Sequence, residues 1–256
     1  MSAPRKRFGQ NFLEDREVIE RIVASIAPQP GERLVEIGPG RAALTGLLAN
    51  RLGRMDVIEI DRDLARDLGR IFAPERVRIH QGDVLEFDFR GLGSGLRVVG
   101  NLPYNISTPI LFALTAQADV IRDGHFMLQR EVVQRMCAAA GTPDYGRLSV
   151  MLQYRWRIES VFDVPPTAFR PEPKVWSSLV RMVPHAELPA LAVDEARFAQ
   201  TVMLAFGQRR KTLRNALNTL VSASELEQLG VNPSLRGEML DVHSFVRIAN
   251  FLSARA

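Results

Sequence analysis

Residues 33–40 read Arg33-Leu34-Val35-Glu36-Ile37-Gly38-Pro39-Gly40, an apolar, β-prone run that stops at two closely spaced glycines, with a helix-forming stretch from Ala43 onward. A strand that turns through G-x-G into a helix opens a nucleotide-binding α/β unit, because only glycine allows so tight a turn and so close a ligand. Such glycine pairs also occur for chain geometry alone. Glu59 sharpens the signal: it closes the next β-prone run, 21 positions after Gly38, where a carboxylate accepts hydrogen bonds from both hydroxyls of a ribose.

Outward from this stretch, short β-prone runs at 55–60, 77–81, 96–100 and 126–128 alternate with segments such as 43–52 and 62–71, whose apolar residues recur every three or four positions. That alternation predicts a wound parallel sheet with crossover helices, a Rossmann-like α/β fold with helices on both faces. Two further strands are expected at 155–164 and 176–183, separated by the proline-rich loop 165–174, which cannot itself join a ladder. Beyond 184–189 the pattern turns helical at 194–220, 223–229 and 243–252. The expected division is a sheet domain at 1–187, with a basic arm at 1–13, and a small all-helical domain at 188–256. There is no internal repeat and no low-complexity tract.

Composition narrows the class. The chain has 256 residues, 46% of them hydrophobic and 24% charged, which describes a globular protein. A single cysteine, Cys137, and four scattered histidines (His80, His125, His185 and His243) leave no local metal motif. No apolar run reaches the roughly 18 residues a bilayer span needs, and the first residues lack a signal-peptide core, so a cytoplasmic protein is expected. The formal net charge is +4, and Arg5, Lys6 and Arg7 form one basic focus while Arg209, Arg210, Lys211 and Arg214 form another. Charge runs usually only face water, but a polyanionic partner is the functional alternative.

The cofactor follows from what the glycine turn lacks. A dinucleotide fingerprint calls for a third glycine at position 43, where Ala43 stands. Without a pyrophosphate cradle the pattern favours S-adenosylmethionine, which carries no phosphate. Asp83 ends the third strand on the same carboxyl edge and is placed to accept from an adenine amine, although a turn or helix-cap aspartate is the plainer explanation.

After the fourth strand come Asn101, Leu102, Pro103 and Tyr104, then Asn105-Ile106-Ser107. An exocyclic aromatic amine is a poor nucleophile because its lone pair is delocalised into the ring. An enzyme that methylates it must accept hydrogen bonds from N6–H and draw the nitrogen toward tetrahedral geometry. The Asn101 side-chain oxygen and the Leu102 carbonyl supply two acceptors, Pro103 stiffens the turn, and Tyr104 offers a stacking ring. Phe169, between the last two expected strands, is read as the second ring against the flipped base, with Lys174 near phosphate, although a lone aromatic more often packs in a core.

Together, residues 5–13 (RKRFGQNFL), 36–45 (EIGPGRAALT), 58–61 (IEID), 101–107 (NLPYNIS), 169–175 (FRPEPKV) and 208–217 (QRRKTLRNAL) resemble the ribosomal RNA small-subunit adenine dimethyltransferases over nearly the whole chain. The NLPY element alone is shared with related adenine methylases. The resemblance implies a methyltransferase domain and a helical C-terminal domain. It also implies S-adenosylmethionine as donor, S-adenosylhomocysteine as product, no metal, and double methylation of two neighbouring adenosines near the 3′ end of small-subunit RNA within a 30S-like particle. It further implies cofactor contacts from Asn11, Leu13, Gly38, Glu59, Asp83 and Asn101, beside the Gly40 of the turn; Asn11 and Leu13 carry no such signal in their spacing. A monomer is expected. The chain departs from the family's usual pattern at Arg41, Ala42 and Gly207.

Other readings remain: a large-subunit RNA methylase of the antibiotic-resistance type, which shares the catalytic loop, or a non-catalytic ribosome assembly factor. A DNA adenine methylase fits less well, because no base-reading module with a groove-entering helix is apparent.

Overall fold

The structure, a computed structural model, describes residues 11–208 and 210–255. Its first half runs β1 (Phe12–Leu13), α1 (Arg16–Ile26), β2 (Leu34–Ile37), α2 (Thr45–Leu52), β3 (Met55–Glu59), α3 (Arg62–Ile71), β4 (Val77–Gln81), β5 (Leu96–Asn101), α4 (Ser107–Thr115) and β6 (Ile121–Gln129). Then follow α5 (Arg130–Cys137), α6 (Arg147–Gln153), β7 (Trp156–Val164), β8 (Phe169–Arg170), β9 (Ser177–Pro184), α7 (Glu195–Phe206), α8 (Leu213–Ala216), α9 (Ala223–Gln228) and α10 (Val242–Ser253).

The main sheet has the order β4-β3-β2-β5-β6-β9-β7. β4, β3, β2, β5 and β6 pair in parallel, and β9 runs antiparallel to β6. The chain steps from β2 outward through β3 to β4, then returns to the other side of β2 for β5 and β6. Right-handed crossovers on either side of that reversal put helices on opposite faces, and the crevice opens at the carboxyl ends of β2 and β5. This is the expected Rossmann-like α/β fold.

β6 is longer than the 126–128 expected. Its polar residues hid it: Asp123 is buried because Arg97 donates to it from Nε at 2.9 Å and from Nη2 at 3.0 Å. Arg97 also donates to Glu32 at 2.7 Å and to the Ile26 carbonyl at 2.7 Å, which ties the end of α1 to the start of β5. A buried charge of this kind stands only when paired on several sides.

The helical run expected at 194–220 is broken. α7 ends at Phe206, Gly207 follows as its cap, and Leu213 donates to the Leu235 carbonyl at 2.7 Å instead of continuing a helical ladder.

By contact, the described chain falls into two compact units. One holds the residues up to Val133 together with Ile158–Pro184; the other holds Gln134–Arg157 with the residues from His185 onward. This differs from a division at 187/188, because 134–157 goes with the helical unit. The reason lies in its aromatic residues: the Tyr154 ring centre lies 4.6 Å from that of Phe198, and Tyr145 packs 6.3 Å from Phe206. Both tyrosines join one apolar cluster with Val202, Leu217, Phe245 and Ile248. In the sheet unit the core gathers Ile22, Val23 and Ile26 of α1, Leu48 and Leu52 of α2, and strand residues such as Val57 and Val99.

Candidate active site

β2 delivers the chain to Gly38 and Gly40, whose φ values are +64° and +56°. At Gly40 glycine is favoured twice, by its positive φ and because a Cβ there would lie 3.1 Å from the Phe12 ring, a tight contact. The Gly40 N–H donates to a Glu59 carboxylate oxygen at 3.2 Å, and the Asp61 N–H donates to the other at 2.9 Å. The end of β3 is thereby locked to the turn after β2. Burial raises the Glu59 carboxyl above its ordinary range against the lowering effect of those two N–H groups. Ala42 continues the turn with φ +65°, a conformation that costs a residue with a side chain on the order of 1 kcal/mol.

The segment 11–13 lies against this turn. The Arg41 guanidinium stands 4.4 Å from the Phe12 ring centre and donates to Glu14 at 3.3 Å. Leu13 pairs with Phe169 and Phe12 with Arg170 in the small β1–β8 ladder, so the loop 165–174, expected to join no ladder, does join one through the two residues ahead of its Pro171. At the end of β5, the Asn101 Nδ2 donates to the Asn11 carbonyl at 2.9 Å. A carbonyl only accepts, so this bond fixes which way the amide points and turns its oxygen away from Asn11. The Leu102 N–H is taken by the Met127 carbonyl at 3.2 Å, and Pro103 accepts from the Ile106 N–H at 3.2 Å. The Tyr104 hydroxyl shares a 2.6 Å hydrogen bond with Ser177 Oγ. Burial pushes the Tyr104 phenol up, only partly opposed by that bond, so it is a neutral group at neutral pH.

One pocket unites these residues. Asn11, Leu13, Gly38, Gly40, Glu59, Asp83, Asn101, Leu102, Pro103 and Tyr104 all line it. Asp83 also has the plainer part foreseen for it, accepting from the Leu85 N–H at 2.9 Å to cap a turn.

Phe169 is the exception and requires a correction. Its ring is 0% exposed and belongs to the sheet unit's core with Leu13 and Ala168. Strand pairing with β1 faces it inward, so it backs the 11–13 segment and is not an open face for a base. Of the basic residues, Lys174 is exposed in the sheet unit, and Arg210, Lys211 and Arg214 are exposed in the helical unit. Arg5, Lys6, Arg7 and Arg209 lie outside the described residues.

Sequence reasoning passed over three contributors. Glu36 lines the pocket, is buried, and accepts from Thr45 Oγ1 at 2.7 Å. Desolvation raises its carboxyl to about 7; the Thr45 bond opposes this and the nearby Glu59 adds to it. A signal existed, since an acid inside an apolar strand calls for an explanation. Ile60, 45% exposed at the pocket, would have been found as an apolar residue flanking the ribose acid. Ser177 carries no signal in the sequence.

The lining chemistry suits an adenosine-bearing cation better than a phosphate. Among the described residues the lining carries Glu36, Glu59 and Asp83 against a single basic residue, Arg41, which is engaged with Glu14 and Phe12. Ile60 supplies apolar surface for a purine, Glu59 acceptors for a ribose, and Gly40 a wall without a Cβ. These residues fit S-adenosylmethionine. Among the described residues no group of three or more His, Cys, Asp or Glu is set to hold a metal ion, and no helix is long and apolar enough to cross a membrane.

The family model for ribosomal RNA adenine dimethylase matches residues 1–254. A relative from Aromatoleum aromaticum, a ribosomal RNA small subunit methyltransferase A, is 57% identical over 252 residues, covering 98% of this chain and 95% of its own. A relative of the same name from Thiobacillus denitrificans is 54% identical, with all of both chains covered. Among solved structures, a dimethyladenosine transferase from Plasmodium falciparum shares the fold, with a TM-score of 0.79 at 22% identity over 93% of this chain and 95% of that one. The 23S rRNA methyltransferase ErmE has a TM-score of 0.72 at 26% identity over 95% of this chain and all of its own.

Proposed function

This chain belongs to the ribosomal RNA adenine dimethylase family, and from that premise we propose how its pocket performs the reaction and on which RNA. The enzyme is an S-adenosylmethionine-dependent rRNA adenine methyltransferase. Its target is two adjacent adenosines near the 3′ end of 16S RNA, each methylated twice at N6, in a 30S-like particle during small-subunit biogenesis. It acts in the cytoplasm as a monomer. The observation that carries the reading is the Asn101 amide, held by the Asn11 carbonyl beside the pocket that Glu59 and Gly40 shape.

When bound, S-adenosylmethionine supplies an activated methyl group on a sulfonium and leaves as neutral S-adenosylhomocysteine. Asn11, Leu13, Gly38, Gly40, Glu59, Asp83 and Asn101, which line one pocket, would hold it, Glu59 offering acceptors for the ribose hydroxyls and Asp83 one for the adenine amine. Asn101 Oδ1 and the Leu102 carbonyl accept from the target amine and direct its lone pair at the methyl carbon. Tyr104 stacks on the extruded base, and its bond to Ser177 limits how that ring turns. The methylated nitrogen sheds its proton to water, because an N-aryl ammonium is a strong acid. No strong base is needed, and alignment carries much of the rate, on the order of 7–11 kcal/mol in well-oriented systems. Lys174, Arg210, Lys211 and Arg214, together with Arg5, Lys6, Arg7 and Arg209, meet RNA phosphates and set register rather than sequence.

The competing large-subunit reading draws on the likeness to ErmE, at 26% identity; relatives above 50% identity carry the small-subunit name. The test is methyl transfer from labelled S-adenosylmethionine to small and large ribosomal subunits from a strain lacking both modifications. Label confined to small-subunit RNA is expected. Label on large-subunit RNA would favour the resistance-type reading, and binding without label would favour an assembly factor.

A further inference from the structure

The chain has two tryptophans, and they differ in kind: Trp156 is 2% exposed, whereas Trp176 is 45% exposed. Val175 beside it is 42% exposed, so the loop before β9 presents a small apolar surface to water. A single exposed apolar residue needs no explanation, but a tryptophan exposed at a nucleic-acid enzyme's working edge is a stacking surface.

Trp176 is fixed at that edge. Its carbonyl accepts from the Arg130 N–H at 2.9 Å, and the Arg130 guanidinium lies 5.7 Å from its ring centre. The next residue, Ser177, is the hydrogen-bond partner of Tyr104. Register gives the distance. Asn101 pairs with Met127, Met127 with Leu179, and Gln129 with Ser177, so Trp176 lies two strands across and three residues along from Asn101. With strands about 4.8 Å apart and about 3.3 Å per residue, the separation is on the order of 10–15 Å.

We propose that the Trp176 ring is a stacking site for an unpaired nucleobase flanking the target adenosine. The ring's exposed surface takes the base while Arg130, paired with Asp163 at 3.8 Å, backs the ring, and Lys174, exposed two residues before, supplies charge for the base's phosphate. This rests on the RNA methyltransferase reading. The site takes any base, since every base has a π-face, and it orders the strand on the far side of the catalytic tyrosine.

Two readouts test it. Titrating the protein with a single-stranded RNA containing adjacent adenosines should quench tryptophan fluorescence, with Trp156 too buried to respond. In Trp176→Phe the quench should vanish while filter binding persists. With unmodified small subunits as substrate, Trp176→Ala should raise KM by about 5- to 100-fold with kcat little changed, and Trp176→Phe should recover most of the loss. RNA binding without quenching, or an unchanged KM in Trp176→Ala, would overturn the proposal. If the unaltered enzyme neither bound nor methylated the RNA, the function reading itself would fall, and the stacking site with it.

Discussion

Asn101 donates from its side-chain amide to the backbone carbonyl of Asn11 at 2.9 Å, so the catalytic loop and the segment ahead of the first helix hold each other in place. The bond uses the nitrogen of Asn101 and commits its oxygen to the pocket. Asn101→Asp replaces the donor with a carboxylate that the Asn11 carbonyl repels. Both Asn101→Asp and Asn101→Ala are therefore expected to lose about 10²–10³-fold in single-turnover rate. Calorimetric affinity for S-adenosylmethionine should fall far less. Rates within a few-fold of the unaltered enzyme in Asn101→Asp would contradict this role.

Phe169 divides a core role from a stacking one. As a fully buried ring, its truncation in Phe169→Ala should cost about 3–5 kcal/mol in denaturant unfolding. Phe169→Leu should cost much less and keep methyl transfer at temperatures well below unfolding. A stable but inactive Phe169→Leu protein would restore the stacking reading.

Ala42 sits at φ +65° in the cofactor turn, where glycine adopts the same backbone without strain. Ala42→Gly relieves that strain, but it loosens the unfolded chain and removes a methyl that packs against the sheet unit's core. The terms should nearly cancel, leaving the stability read from Tm by calorimetry within about 0.5 kcal/mol of the unaltered protein's. A Tm lowered beyond that would mean that the Ala42 methyl packs better than its backbone suggests.

Glu36 makes stability depend on pH. Its carboxyl is raised from the ordinary 4.5 to about 7, chiefly by burial. Between those values the folded chain keeps a proton that the unfolded chain has released, so folding gains from Glu36 below pH 4.5 and loses that gain as pH climbs through 7. Glu36→Gln stays neutral throughout. The slope of unfolding free energy against pH should flatten across this window in the variant, and an unchanged slope would show that Glu36 is ionised in the fold.

Much of the site was legible because backbone geometry writes itself into residue type. Gly38 and Gly40 declared the turn, Glu59 declared the strand end beside it, and the Asn101–Tyr104 loop declared the chemistry; all line one pocket. What stayed hidden depended on partners distant in sequence. Asp123 sits buried inside β6 only because Arg97 pairs with it from β5. Residues 134–157 read as part of the sheet domain because nothing in a strand-helix alternation says which core Tyr145 and Tyr154 will join. Phe169 and Trp176 both lie between β7 and β9, and composition alone could not say which ring would be buried; pairing with Leu13 decided it.

The most direct measurement is mass spectrometry of nucleosides from small-subunit RNA, taken from a strain lacking the modification and incubated with S-adenosylmethionine and either the unaltered enzyme or Asn101→Ala. The account predicts N6,N6-dimethyladenosine with the unaltered enzyme and only traces with the variant. Equal dimethyladenosine from both proteins, or none from either, would contradict it.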